Sequence, residues 1–266
     1  MMRAMFEPPL ILTSPGLFIT GTDTGVGKTV VTCAIAAALR QQEKGIRVGV
    51  CKPISSGCRR DREGLVHEDA EALAHFADCR QPLDVINPLR FAPPLAPAVA
   101  AELAGMAMDW DALRRALELL DREHDVLLIE GVGGLLVPID PRQPKRTVLD
   151  LAAALGYPVL VVARSGLGTL NHTAMTVRLL GQAGCVVAGI VINGYDGDVA
   201  RSGDESITSN RVWLAKMTGV PVRAIIPRVE AGRAMPHKAV LDDAIVEAAM
   251  QYRWMELAGE VKEKPR

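Results

Sequence analysis

A doubly wound α/β fold, a mostly parallel sheet flanked by helices in a single domain, is predicted by three features of this 266-residue sequence. Short β-branched runs recur along it, each apolar at consecutive positions, as strands covered on both faces require. Helical stretches lie between the runs, and that alternation closes into a parallel sheet through right-handed crossovers. Composition agrees: 49% of residues are apolar but only 4% aromatic, with 24 Gly and 17 Pro, so the core must be built from Val, Ile, Leu and Ala.

In chain order, the first strand, Leu17 to Thr20, leads into a glycine-rich loop and an Ala-rich helix, Val30 to Gln42. Ile46 to Cys51 is the second strand, closed by Lys52-Pro53. The helix Glu68 to Phe76 follows, its first turn acidic (Glu68, Asp69, Glu71) as the helix dipole favours. Pro82 to Pro97 holds five prolines and reads as an irregular excursion over the sheet edge. The helix Asp109 to Arg122 then precedes the apolar strand Val126 to Ile129, which ends on Glu130. Val148 to Leu155 is helical, Val159 to Ala163 a strand, and Leu170 to Ala183 a helix. The strand Val186 to Ile192, the helix Ser206 to Met217 and the strand Val222 to Ile226 complete a core of about 15–230 within one domain spanning 1–266. A last helix is predicted over about Ala239 to Leu257, inside a helical region 237–258. Its polar positions mix Asp242, Asp243, Glu247, Arg253 and Glu256, so it lacks the basic face that anionic lipid selects.

The charge balance excludes several function classes. Thirty Lys+Arg face 31 Asp+Glu, a net charge of -1 with no block of one sign beyond the short Lys262 to Arg266 end. Neither a nucleic-acid nor a membrane partner is expected. Arg3 and Glu7-Pro8-Pro9 interrupt any signal-like stretch, and the uncharged run Leu179 to Tyr195 falls short of a spanning helix, so the expectation is a cytoplasmic protein. Cys33, Cys51, Cys58, Cys79 and Cys185 form no Cys-x-x-Cys pair, which argues against a disulfide framework or structural zinc.

Gly21 to Thr29 reads GTDTGVGKT, directly after a strand and before a helix. Glycines there let backbone N–H groups converge on phosphate oxygens, and the helix N-terminus adds its dipole. Lys28 is placed to reach the β and γ phosphates of ATP and Thr29 to hold Mg²⁺. The usual spacing is altered: five residues, not four, separate Gly21 and Gly27, and Thr22 stands at the usual glycine position. The fold is accordingly predicted to be that of the P-loop NTPases. Lys52 and Glu130 each end a buried strand, at the carboxyl edge where open α/β sheets bind ligands. An ammonium there can neutralise a transferred phosphoryl group, and a carboxylate can serve Mg²⁺. Asp69 fits a metal carboxylate and a plain acidic first turn equally well.

GTDTGVGKT, then Lys52-Pro53-Ile54-Ser55-Ser56-Gly57, then Glu130-Gly131-Val132-Gly133-Gly134 resemble the dethiobiotin synthetases over about Leu17 to Pro227, nearly the whole chain. The resemblance implies a homodimer that carboxylates 7,8-diaminononanoate with CO₂ and ATP to close a ureido ring. It implies ATP contacts at Thr24, Gly25, Val26, Gly27, Lys28, Thr29, Asn193 and Pro227, with Asn193 on the base. Lys52 and Lys28 are the implied catalytic residues, and Thr29, Asp69 and Glu130 the implied Mg²⁺ ligands. Ser56, Gly131, Gly168 and Asn171 are the implied substrate contacts, the last two where the substrate's carboxylate tail is held near the dimer interface. Relatives often carry Pro-His where Pro97-Ala98 stands here, so no role is carried to position 98. Pro141 to Lys145 and Tyr195 to Asp204 read as variable surface loops.

No Ser/His/Asp or Cys/His constellation is expected from the sequence, which suits a reaction driven by positioning and electrostatics. Two other readings share the loop. A partitioning or division-site switch ATPase would carry a second lysine where Asp23 stands, and often a basic amphipathic tail. A corrinoid amidating enzyme would need a glutaminase domain with a catalytic Cys, for which no room is seen after Pro227.

Overall fold

The computed structural model describes residues 5–62, 64–198 and 203–259. The Lys262 to Arg266 end and residues 199–202 of the Tyr195 to Asp204 loop lie outside the described residues. Six strands form the central sheet: β1 (Gly16–Gly21), β2 (Val48–Cys51), β3 (Val126–Glu130), β4 (Val159–Arg164), β5 (Val187–Tyr195) and β6 (Val222–Pro227). Their spatial order is β6-β5-β4-β1-β3-β2, and every pairing is parallel. Every residue of β1, β2 and β3 is buried. That explains why these runs are apolar at consecutive positions instead of alternating.

The main helices are α1 (Lys28–Gln42), α2 (Glu68–Ala77), α3 (Trp110–Glu123), α4 (Val148–Leu155), α5 (Thr169–Gln182) and α6 (Ser206–Thr218). α1 packs on β1 and β3 beside α2, α3 packs on β2 and β3, and α5 and α6 pack on each other. From β1 the chain steps outward to the edge strand β2, returns to β3 and crosses β1 to reach β4. The carboxyl ends of β1 and β3 therefore open onto the crevice where the connections diverge, the place such sheets bind ligands.

The core is mostly aliphatic as composition requires, yet the largest fully buried side chains include three rings, Trp254, Phe18 and Phe91. The proline-rich segment is more ordered than an irregular excursion. Leu83–Ile86 forms a helical turn, Leu89–Phe91 pairs in parallel with Ile54–Ser56, and Pro97–Leu103 is a short helix with proline in its first turn. The Pro141 to Lys145 loop is tied down just beyond its end by the buried Arg146–Asp140 ion pair at 3.3 Å.

The single C-terminal helix predicted over Ala239 to Leu257 is instead several elements. Pro236–Lys238 is a 3₁₀ turn, Ala234–Met235 pairs antiparallel with Val240–Leu241, and Ala239 has φ +57°, which no α-helix accommodates. Asp242 then caps α7 (Asp243–Met250) by accepting from the Ala244 N–H. The chain breaks again before α8 (Trp254–Gly259). At that break Gln42 Nε2 donates to the carbonyls of Met250 and Tyr252, and the buried Trp254 indole donates to the Ala249 carbonyl. Carbonyls that would have continued the helix are thus taken by side chains from elsewhere.

Candidate active site

Between β1 and α1 the chain folds back tightly. A Cβ at Gly21 would meet Val26 Cγ2 at 2.7 Å and Lys28 Cδ at 3.2 Å, so the extra loop residue is accommodated by laying the lysine stem over a bare backbone. Gly27, with φ +90°, precedes α1; no side chain caps that helix and its first turn holds no acidic residue. Its leading N–H groups and dipole are therefore free of side-chain competition for an anion. Lys28 Nζ donates to the Gly133 carbonyl at 2.9 Å and the Asp23 carbonyl at 3.2 Å. Burial, aided by the positive charge of Lys52, lowers its pKa to about 8. Carbonyls are weaker partners for an ammonium than phosphate oxygens, so this lysine is poised to exchange them for phosphate.

Lys52 stands just beyond β2 and Glu130 ends β3. The strands pair with Cys51 opposite Ile129, so the next position on each strand brings Lys52 and Glu130 together. Lys52 Nζ lies 2.5 Å from Glu130 Oε1 and 2.7 Å from Asp69 Oδ2. Its backbone is clamped by the proline-rich segment: the Lys52 N–H donates to the Ile86 carbonyl at 2.7 Å, and Asn87 Nδ2 donates to the Lys52 carbonyl at 2.5 Å. Asn87 is thus a positioning residue, and its only local signal is the Asn87-Pro88 step inside the proline run.

Geometry separates the three acids of the first turn of α2. Glu71 pairs with Arg59 at 2.7 Å, and Glu68 lies 3.7 Å from His237 Nδ1, whereas Asp69 turns inward to Lys52. His67 caps this helix, its Nδ1 accepting from the Asp69 N–H. Burial pushes the Asp69 carboxyl up, but the Lys52 charge and hydrogen bond outweigh it and hold the group below its ordinary range. The two carboxylates keep Lys52 protonated against its own burial, its pKa raised. Thr29 Oγ1 donates to Glu130 Oε1 at 2.9 Å. Glu130 is fully buried, and its Oε2 has no hydrogen-bond partner among the described residues. An orphaned carboxylate oxygen beside a hydroxyl and a second carboxylate is a hard-donor set that suits Mg²⁺. Among the described residues no group of three or more His, Cys, Asp or Glu side chains could hold a metal by itself. Two carboxylates and a hydroxyl are what a metal shared with nucleotide phosphates needs.

Other predicted residues fall around this centre. Asn193 Nδ2 donates to the Val26 carbonyl at 3.0 Å, which sets its carboxamide directly over the phosphate loop. Pro227 lies opposite Tyr195 and lines a cleft of about 530 Å³ with Asp196, Arg228 and Val229. Thr24, Gly25 and Val26 lie in the phosphate loop itself. Ser56 ends the short strand Ile54–Ser56 that follows β2 and is half-buried. Gly131 has a packing reason of its own, since a Cβ there would meet Phe18 at 3.1 Å and Val148 at 3.3 Å. Gly168 and Asn171 are exposed at the amino end of α5. That helix start also lacks a capping side chain and an acidic residue. The expectation of no Cys/His pair is corrected by the fold: Cys79 Sγ lies 3.6 Å from His124 Nε2, a contact made only by the meeting of distant segments. It sits beside the start of β2, at the edge opposite the phosphate loop.

A parallel sheet with a glycine-rich loop at the end of its central strand, a lysine and threonine opening the next helix, and an acid on the neighbouring strand defines a P-loop nucleotide-binding protein. A family model described as an AAA domain matches residues 15–234. The ATP-dependent dethiobiotin synthetase BioD of Anaeromyxobacter sp. (strain K) is 45% identical over 215 residues, covering 80% of this chain and 89% of that protein. The Bacillus licheniformis protein of the same name is 36% identical over 242 residues, covering 90% and 97%. The chain belongs to the dethiobiotin synthetase family. Among solved structures, the Aquifex aeolicus MinC:MinD complex superposes with a TM-score of 0.56 at 15% identity, covering 95% of this chain and 99% of that one. The septum site-determining protein MinD of Pyrococcus horikoshii, complexed with Mg-ADP, gives 0.52 at 19%, covering 92% and 95%. At such identities the likeness is one of fold alone.

Proposed function

We propose that the chain is an ATP-dependent C–N ligase that closes the ureido ring of dethiobiotin, with its phosphoryl chemistry at the edge where Lys28, Thr29, Lys52, Asp69 and Glu130 meet. That convergence, three of the five side chains joined within 2.9 Å through Glu130 Oε1, is the observation that carries the site assignment. One amine of 7,8-diaminononanoate adds to CO₂ and loses a proton, giving a carbamate. A carbamate oxygen attacks the γ phosphorus of ATP in line, and ADP leaves. The second amine then attacks the carbonyl carbon of the carbamic-phosphoric anhydride, loses its proton, and phosphate departs as the ring closes. Thr29, Asp69 and Glu130 would hold Mg²⁺, which would neutralise charge on the nucleotide phosphates. Lys28 binds phosphate oxygens, Lys52 stabilises charge on the transferred group and the carbamate, and the loop N–H groups orient the triphosphate.

Asn193 and Pro227 hold the adenine, and Ser56 and Gly131 line the diamine. Gly168 and Asn171, at the uncapped start of α5, take the carboxylate tail. We further propose a homodimer. Leu167 is 82% exposed just before α5, and Met175, Trp213 and Met217 are exposed on α5 and α6, an apolar surface that a second copy would cover. Sedimentation at micromolar concentration should give twice the chain mass; a monomer would refute the dimer. Among the described residues no helix is long and apolar enough to cross a membrane.

The activity itself is tested by phosphate release. Protein with ATP, Mg²⁺, bicarbonate and the diamine should release phosphate and form dethiobiotin, with little release when the diamine is omitted. Equal release with and without the diamine would favour a switch ATPase and overturn the ligase reading.

A further inference from the structure

We propose that the Lys52 ammonium and the metal ion take the same two carboxylates in turn, so that metal loading frees Lys52 for the phosphoryl group. This rests on the functional reading above, in which Thr29, Asp69 and Glu130 hold Mg²⁺. Lys52 Nζ is 2.7 Å from Asp69 Oδ2 and 2.5 Å from Glu130 Oε1, the distances of charge-assisted bonds. Thr29 Oγ1 donates to that same Glu130 Oε1 at 2.9 Å. The ammonium thus bridges both carboxylates, and Thr29 joins the group through Glu130 Oε1. Lys52 and Glu130 are 3% and 0% exposed, so little solvent screens a second cation brought among them, and like charges this close repel.

Charge logic sets the order of events. Buried carboxylates without a counter-ion are costly, and here Lys52 neutralises them until a divalent ion does so. A freed ammonium needs an anion in turn. The Lys52 backbone is fixed by Ile86 and Asn87, so only the side chain can move, and the phosphate-binding loop brings the nearest anion, the nucleotide. Metal without nucleotide would strand the ammonium among cations; metal with nucleotide gives it a phosphate. Metal and nucleotide therefore bind cooperatively, and Lys52 is the coupling element.

The test uses Mn²⁺ as the probe, with free Mn²⁺ measured by electron paramagnetic resonance, on the full chain with and without a non-hydrolysable ATP analogue. Lys52→Gln should bind Mn²⁺ at least about tenfold more tightly than wild type when no nucleotide is present, the gap narrowing once the analogue is added. Adding Asp69→Asn should remove the gain. Binding by Lys52→Gln no tighter than wild type without nucleotide, while both bind Mn²⁺ with the analogue, overturns the exchange and leaves the metal site standing. Mn²⁺ binding with analogue that ignores both Asp69→Asn and Glu130→Gln overturns the functional reading and the exchange with it. If Lys52→Gln does not fold, wild type decides through the ¹⁵N signal of its Lys52 ammonium. That signal should persist with the analogue alone and move when Mg²⁺ joins; a signal indifferent to Mg²⁺ overturns the exchange.

Discussion

Lys52→Gln should lower kcat for phosphate release by at least about 1,000-fold while leaving metal-free ATP affinity within about fivefold of wild type. The asymmetry follows from where the side chain sits. Lys28, the helix start and the glycine backbone hold the triphosphate, and without metal Lys52 makes none of those contacts, being bound to Glu130 and Asp69. Its charge lies instead between Glu130 and Asp69, which Thr29 links to the loop, where it can stabilise the negative charge spread over the phosphoryl oxygens in transfer to the carbamate. Glutamine keeps the length and removes the charge. Removing it also leaves two carboxylates unneutralised, Glu130 fully buried, so apparent stability without ligand should fall by about 3–5 kcal/mol. Metal and nucleotide should restore part of that loss. Single-turnover kinetics and calorimetric ATP titration separate the two effects. Full turnover in a folded variant would remove Lys52 from the chemistry; loss of ATP binding in parallel with kcat would make it a binding residue.

How much of this was legible in the sequence depends on the range over which each feature is encoded. The six strands and the phosphate loop were, because consecutive burial, glycine spacing and a following helix are local patterns. Lys52 and Glu130 were legible as single residues, each ending an apolar run. Their partnership was not, because it requires β2 and β3 to pair in the register that puts Cys51 opposite Ile129. Asp69 shows the same limit: three acids open α2, and only the surroundings tell which one turns inward. Glu71 finds Arg59 and Glu68 lies beside His237, leaving Asp69 for Lys52. The Leu89–Phe91 strand had no periodic signal, since its existence depends on Ile54–Ser56 as a distant partner. The C-terminal region departs from one helix at two places: the Ala234–Met235 and Val240–Leu241 pairing with the Asp242 cap delays its start, and at the second break Gln42 takes the Met250 and Tyr252 carbonyls, a contact no window over 239–257 contains.

Gly27→Ala should reduce ATP affinity by at least about 100-fold, although it adds one methyl group and no charge. Two penalties fall on one residue. Its φ of +90° is a conformation that L residues rarely adopt, worth about 1–3 kcal/mol of strain. A Cβ there would also stand 2.0 Å from Asn193 Nδ2 and 3.0 Å from Asn193 Cγ, so the carboxamide must leave its hydrogen bond to the Val26 carbonyl or the loop must shift. Gly25 is the internal control. Its φ is +72° but nothing lies within 4 Å of its Cβ position, so Gly25→Ala should cost the strain alone and lose about tenfold. Pairing Gly27→Ala with Asn193→Ala removes the collision but not the strain, and should recover inorganic triphosphate affinity only to about the Gly25→Ala level. Inorganic triphosphate, which has no base, is the discriminating ligand. Gly27→Ala should weaken it as much as ATP, whereas Asn193→Ala alone should weaken ATP and spare triphosphate. Undiminished triphosphate binding by Gly27→Ala would mean that the phosphates are cradled elsewhere.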